Sequence, residues 1–222
     1  MTVLRRNGLN YNPWGSQNRN IPLVEFPVVV TGTGEPMAAE VGLFLGLCLQ
    51  KPLQIASVYP SSTYLADAMA RLVDLARPGI VLELGAGTGS LTRGLLRRGC
   101  PLGRLIALER EPSLAAVLRR DFPDIAVIEG DATCLDVSLT ERGVSHLAGV
   151  VSSLPIKWFP AEAQIAVLRP CLERLGRGGR FLQMTNGFCS PIAIDRLPVV
   201  ARQVGRVWRN LPPAQIWSYT RA

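Results

Sequence analysis

The 222-residue sequence has a single histidine, His146, and its five cysteines, Cys48, Cys100, Cys134, Cys171 and Cys189, include no Cys-x-x-Cys pair. So sparse a set of soft ligands excludes a zinc cluster and a disulfide framework, and it suits a reducing cytoplasm. Lysine is scarce too, at Lys51 and Lys157, so nearly all of the positive charge is arginine. Long apolar runs are missing: the longest strongly apolar one, Val41 to Leu49, falls far below the roughly 20 residues that span a bilayer, so no transmembrane helix is expected. Arg5 and Arg6 are followed by Asn, Tyr and Trp, not by an apolar core and a small-residue cleavage site. Secretion is therefore not expected.

Hydrophobic residues make up 48% of the chain, enough for one full-sized core. The balance of 24 Lys and Arg against 17 Asp and Glu leaves a formal charge of +7. Such a surface attracts polyanions, nucleic acid or anionic lipid, and charge does not distinguish them. Arginine's planar fork suits phosphate, although a GC-rich genome would enrich it equally.

Residues 1–36 are rich in Asn, Gly, Pro and Thr and read as an irregular arm; residues 37–222 read as a single domain. Within it, Val41, Phe44, Leu45 and Cys48 recur at helical spacing over residues 37–50, and Leu43, Leu47 and Leu49 make the other side apolar as well. A helix apolar all round is either core or lies against something apolar, here a membrane surface. Ser61 or Ser62 can cap a helix running to about Ala76. Short apolar runs and helical patterns then alternate. Strands are expected at 80–84, 105–108, 126–128, 148–151 and 180–184, and helices at 89–98, 112–120, 138–142 and 161–175. Pro170 predicts a kink or break in the last helix. Two tail strands, 204–209 and 215–219, flank Leu211-Pro212-Pro213. The pattern is that of an α/β Rossmann-like domain: a seven-stranded, mostly parallel sheet closed by an antiparallel C-terminal hairpin, with an N-terminal helical extension.

The run Val81-Leu82-Glu83-Leu84-Gly85-Ala86-Gly87-Thr88-Gly89 sets a glycine-rich turn between an apolar strand and a helix. Glycines let the backbone approach a ligand, and the amides of the turn face it. Alone the pattern is compatible with a dinucleotide. Glu83 opposes that reading, because a carboxylate has no task beside a pyrophosphate but suits a ligand carrying an ammonium and a sulfonium; its bland alternative is capping nearby amides. Glu109 ends the next strand about 20 residues on, where an acid can hold ribose hydroxyls. The third strand ends in Glu129-Gly130-Asp131-Ala132, which can present a carboxylate to an adenine amine. Glu83, Glu109 and Asp131 thus give one acid for each polar part of S-adenosylmethionine.

The fourth strand runs into Ser152-Ser153-Leu154-Pro155-Ile156-Lys157-Trp158-Phe159-Pro160. An amine nucleophile must arrive uncharged and in line, and a turn of hydroxyls and carbonyls can orient it. Ser152 is the expected amine-facing group, with Tyr59 and Tyr64 as further orienting groups. The bland reading is that the serines only shape the turn. No general base is evident.

Four segments together resemble the bacterial phospholipid N-methyltransferases: residues 50–62, the turn at 83–89, Ser-x-Leu-Pro at 152–155 with Pro160, and the ending Asn210-Leu211-Pro212-Pro213-Ala214-Gln215-Ile216-Trp217. The resemblance covers residues 37–222 and implies a class I S-adenosylmethionine-dependent enzyme. It would methylate phosphatidylethanolamine stepwise towards phosphatidylcholine, releasing S-adenosylhomocysteine. On this resemblance Glu83, Gly85, Gly87 and Glu109 would bind the donor and Ser152 to Pro155 would line the headgroup pocket. With the motif reading, the expected donor contacts are Ser62, Glu83, Gly85, Ala86, Gly87, Thr88, Gly89, Glu109, Arg110, Asp131, Ala132 and Ser152. The headgroup contacts are Tyr59, Ser153, Leu154, Pro155 and Trp158, and the catalytic residues Ser152, Tyr59 and Tyr64. No metal and no protein or nucleic-acid partner is implied. The enzyme would sit peripherally on the cytoplasmic face of the inner membrane, drawn by anionic lipid. The chain departs from the family at residues 37–50, where the family's surface helix is sprinkled with basic residues and this one carries only Glu40, with Lys51 at its end. Arg5, Arg6, Arg19 and the arginines around 97–120 would supply the positive charge.

Three other readings stay open. An ornithine-lipid N-methyltransferase shares the chemistry, and nothing in the residues separates the two lipid amines. An rRNA adenine dimethyltransferase shares the fold, but its Asn-Leu-Pro-Tyr style turn is replaced here by Ser152 and Ile156. A fold kept only as a binding module would have no reason to retain three separated acids.

Overall fold

The computed structural model describes residues 62–222. The arm at 1–36, the apolar segment at 37–50 with the expected N-terminal helical extension, and Tyr59 lie outside the described residues. From Ser62 onward the chain builds the expected mostly parallel sheet. Its strands are β1 (Ile80–Leu84), β2 (Leu105–Glu109), β3 (Ala126–Glu129), β4 (Leu147–Ser152), β5 (Phe181–Thr185), β6 (Val199–Val207) and β7 (Ala214–Arg221), in the order β3-β2-β1-β4-β5-β7-β6. The first five pair in parallel, and β7 runs antiparallel to both β5 and β6.

The helices are α1 (Thr63–Leu72), α2 (Ser90–Arg97), α3 (Pro112–Asp121), α4 (Leu135–Glu141) and α5 (Ala161–Arg174). Side chains alternate across each strand, so β1 feeds two cores at once. Val81 packs with Leu65, Met69, Leu91, Leu95 and Leu118 from α1, α2 and α3. Leu82 and Leu84 pack with Leu135, Leu139, Val167 and Leu168 from α4 and α5. By that alternation Glu83 shares the face of Val81 and is carried into the side of the sheet that α2 covers.

Three departures from the sequence reading have a physical cause in the fold. Helix α1 stops at Leu72, not Ala76, because Val73 is extended and the Asp74 carboxylate accepts from the Ala76 amide at 3.1 Å, an Asx turn that competes with the helix. The Arg104 guanidinium then ties the following loop down, donating to the carbonyls of Gly79 at 2.8 Å, Leu75 at 3.1 Å and Arg77. Helix α5 runs unbroken through Pro170, with Val167, Leu168, Cys171 and Leu172 buried around it. Strand β6 begins five residues earlier than its alternation suggested, since 199–203 pairs with 217–221 ahead of an irregularity at Gln203/Gly205. Among the described residues no helix is long and apolar enough to cross a membrane.

Candidate active site

Parallel strands carry the turns after β1, β2, β3, β4 and β5 to one edge of the sheet. The turn after β1, Gly85 to Gly89, holds all three glycines at positive φ, 73°, 56° and 82°. Their reasons differ. A Cβ on Gly89 would come 2.4 Å from the Phe122 ring, and one on Gly85 would meet Leu154 at 2.9 Å, so both are glycine because the protein itself presses there. A Cβ on Gly87 would meet nothing within 4 Å. Gly87 is therefore the point where the loop backbone faces open space. The amides of Gly85 and Ala86 both donate to the Leu108 carbonyl, at 2.9 and 3.1 Å, which lashes the loop to β2. Thr88 is exposed, its carbonyl held by Arg93 at 2.9 Å.

Beneath this loop Glu83 is fully buried. One carboxylate oxygen accepts from the Thr92 hydroxyl at 2.7 Å, while the other is buried without a partner among the described residues. Burial pushes its pKa up to about 8; hydrogen bonds from the Thr92 side chain and backbone pull it back, and the neighbouring Glu109 charge adds to the rise. Thr92 lies in the first turn of α2, so its hydroxyl satisfies one oxygen, and the other can accept from a ligand.

Glu109 closes β2 with both oxygens engaged, accepting from the Gly87 amide at 2.8 Å and the Glu111 amide at 2.9 Å. A carboxylate accepts about four hydrogen bonds, so two places remain for hydroxyl donors. Past β3, one oxygen of Asp131 accepts from the Thr133 amide at 2.8 Å and hydroxyl at 2.7 Å, and the other faces exposed Arg110 at 3.8 Å. Ala132 behind it is buried. Since β3, β2 and β1 are neighbours, the three acids step diagonally across one edge of the sheet: Glu83 is level with Ala107, Glu109 lies two residues further on and level with Glu129, and Asp131 lies two residues beyond that. An orphaned buried carboxylate, an open glycine and spare acceptors suit a cationic ligand with a diol and an aromatic amine.

The turn after β4 docks onto the glycine loop through Ser153, whose amide donates to the Leu84 carbonyl at 3.0 Å and whose hydroxyl donates to the Gly85 carbonyl at 2.5 Å. A cavity of 260 Å³ opens beside it, lined among others by Ser153, Leu154, Pro155, Lys157, Trp158 and Gln183. Ser152 is buried and outside that lining; its Oγ accepts from the Leu154 amide at 3.4 Å. Tyr64 is exposed with the Arg209 guanidinium on its ring, and Ser62 caps α1, its Oγ accepting from the Leu65 amide at 3.3 Å.

Two residues that the sequence reading missed complete the site. Thr92 partners Glu83. Gln183, opposite Ser152 on β5, donates to the Leu154 and Met184 carbonyls at 2.9 and 2.8 Å, leaving its own Oε1 buried without a partner among the described residues. Neither belongs to a motif; only their places on strands and helices next to the turns point to them. His146 is exposed and precedes β4, at the opposite edge of the sheet. A larger cavity of 530 Å³ lined by Arg71, Arg77, Arg98 and Arg180 also lies at that opposite edge.

No family model matches the chain. It is 39% identical over 185 residues to an ornithine lipid N-methyltransferase of Singulisphaera acidiphila, covering 78% of this chain and 91% of that one. It is 40% identical over 138 residues to a probable ribosomal RNA small subunit methyltransferase A of Halobacterium salinarum, covering 55% of this chain and 48% of the relative. Among solved structures, an O-methyltransferase of Bacillus cereus superposes with a TM-score of 0.56 at 15% identity, covering 84% of this chain and 92% of that one. A TehB-like methyltransferase of Corynebacterium glutamicum superposes with a TM-score of 0.51 at 17% identity, covering 69% and 87%. At such identities the likeness shows the fold.

Proposed function

The chain belongs to the class I S-adenosylmethionine-dependent methyltransferases, and on that premise we propose that it methylates the amine of a membrane lipid, with ornithine lipid as the preferred acceptor. It is an enzyme, and its methyl donor is S-adenosylmethionine. The observation that carries the acceptor is the 39% identity running over 91% of an ornithine lipid N-methyltransferase. The ribosomal RNA enzymes match over about half of their length. Phosphatidylethanolamine is the second reading, supported by the Ser-x-Leu-Pro turn and the Asn-Leu-Pro-Pro ending.

When bound, S-adenosylmethionine would supply an electrophilic methyl group for transfer from its sulfonium to the amine lone pair, leaving the thioether S-adenosylhomocysteine, and the ammonium product would give its proton to solvent. The free oxygen of Glu83 would hold the donor's cationic end, and Gly87 would let it pass close to the backbone. Glu109 would hold the ribose hydroxyls with its spare positions, and the second oxygen of Asp131 the adenine amine. On the acceptor side the Ser153–Pro155 turn walls the cavity, and Gln183 holds the turn's carbonyl in place. Its Oε1 and the turn carbonyls orient the amine, which enters neutral; positioning supplies most of the rate. Ser152 shapes the turn from beneath. Ile156, at the place where an adenine-methylating turn offers a stacking ring, is 1% exposed and part of the core, which favours the lipid over RNA.

The test is incubation with labelled S-adenosylmethionine and, in parallel, vesicles containing ornithine lipid, vesicles containing phosphatidylethanolamine, and ribosomal RNA. Label in ornithine lipid is expected. Label only in RNA would overturn the lipid reading, and label only in phosphatidylethanolamine would reverse the order of the two lipids.

A further inference from the structure

The edge of the sheet that carries the glycine loop and the acceptor cavity also carries most of the large apolar side chains left in water among the described residues. Strand β6 runs parallel to β5, so the turn after it, residues 208–213, emerges at this edge. Trp208 is 69% and Leu211 73% exposed there, and Phe188, three residues past the end of β5, is 86% exposed. Trp158 at the cavity and Tyr64 at the start of α1 are exposed on the same rim.

Each exposed ring but Phe188 carries a cation. Arg206 lies over Trp208 at 5.2 Å, Arg209 over Tyr64 at 5.1 Å and Lys157 over Trp158 at 5.5 Å. None of these three cations is paired with a carboxylate among the described residues. The arginines of α2, α3 and α5 that make ion pairs, by contrast, lie along the helices.

The turn is also held firmly. Asn210, 4% exposed, accepts from the Ser62 amide at 3.1 Å and donates to the Pro212 carbonyl at 2.8 Å. With Asn210 turned inward as the anchor, Trp208, Arg209 and Leu211 all face outward. Apolar bodies beside unpaired cations suit one environment in particular: the headgroup level of an anionic bilayer, where the rings enter the apolar boundary and the guanidinium groups meet phosphate.

We propose that the β6–β7 turn, through Trp208 and Leu211 flanked by Arg206 and Arg209, is a membrane-docking surface that sets the acceptor cavity against the bilayer. This rests on the lipid-acceptor reading above. Because cavity and turn share one edge, a headgroup reaches the cavity from the docked face without any turn of the protein.

The experiment is sedimentation of the full chain with phosphatidylcholine vesicles with and without phosphatidylglycerol, comparing wild type with Trp208→Ala/Leu211→Ala and with Arg206→Ala/Arg209→Ala. Donor binding and melting temperature serve as controls for folding, and the replaced side chains are surface ones. Loss of the two apolar groups lowers vesicle affinity about tenfold or more. Loss of the two arginines lowers it only when phosphatidylglycerol is present, in a salt-dependent way. Transfer to a short-chain, detergent-dispersed amino lipid stays at the wild-type rate in both variants. Wild-type vesicle binding by the Trp208→Ala/Leu211→Ala variant overturns the docking surface. A wild-type enzyme that methylates no lipid, dispersed or in vesicles, overturns the acceptor reading instead, and the sedimentation result separates the two failures.

Discussion

Replacing Glu83 with Gln removes a proton equilibrium from the centre of the domain. The ordinary carboxylate value is 4.5, and burial raises that of Glu83 to about 8. Below pH 4.5 the group is neutral folded and unfolded, so the stability tied to it is fully present. As pH rises the unfolded chain ionises while the folded one keeps its proton, and that stability is lost progressively until pH passes about 8. At 1.36 kcal/mol per unit, the loss by pH 7 is about 3 kcal/mol. Glutamine has nothing to lose over this range. Glu83→Gln therefore stabilises the donor-free protein at pH 7 by up to about 3 kcal/mol, less whatever the weaker bond to Thr92 gives up, and flattens the pH profile between 5 and 8. The same substitution removes the anion that meets the donor, so S-adenosylmethionine binding weakens while stability rises. Urea unfolding of both proteins across that pH range measures the slopes, and calorimetry in two buffers of different ionisation enthalpy measures the proton that wild-type Glu83 releases when the cationic donor arrives. Parallel pH slopes in the two proteins, or undiminished donor binding by the variant, would refute the reasoning.

The glycine loop separates structural from ligand roles. Gly89→Ala drives a Cβ into Phe122 at a positive φ and should cost about 2 kcal/mol or more in thermal unfolding. Gly87→Ala, which meets no atom, should cost about 1 kcal/mol and instead abolish donor binding in calorimetry. Gln183→Leu frees the Leu154 carbonyl and removes the orphan Oε1; it should leave donor affinity intact and lower kcat about tenfold or more in the lipid assay. Ser152→Ala, acting from beneath the turn, should also spare donor binding and reduce turnover, by less than Gln183→Leu.

Much of the fold was legible because periodicity and burial coincide. The mainly apolar run Ile80 to Leu84 and the alternating run that holds Gln215 to Tyr219 appear as strands β1 and β7, since most side chains facing packed neighbours on a sheet are apolar. The early end of α1 came from a local Asx turn at Asp74, but the loop after it is fixed by a distant residue. Arg104 ties the loop after α1 from 25 to 29 residues away, and no local pattern records that contact. In the same way Ser62 of the Pro-Ser-Ser segment and Asn210 of the Asn-Leu-Pro-Pro ending, 148 positions apart, are joined by a hydrogen bond.

By itself the sequence determined the class of chemistry. The order of strand, glycine turn and acid is local, and wherever parallel strands align, Glu83, Glu109 and Asp131 come to the same edge of the sheet. Only the tertiary structure decided what each group faces. It buried Glu83 against Thr92, put Ser152 beneath the turn and Gln183 beside the cavity, and left Gly87 alone facing open space. Those outcomes depend on which neighbour occupies the next few ångströms, and that is set by packing across the sheet.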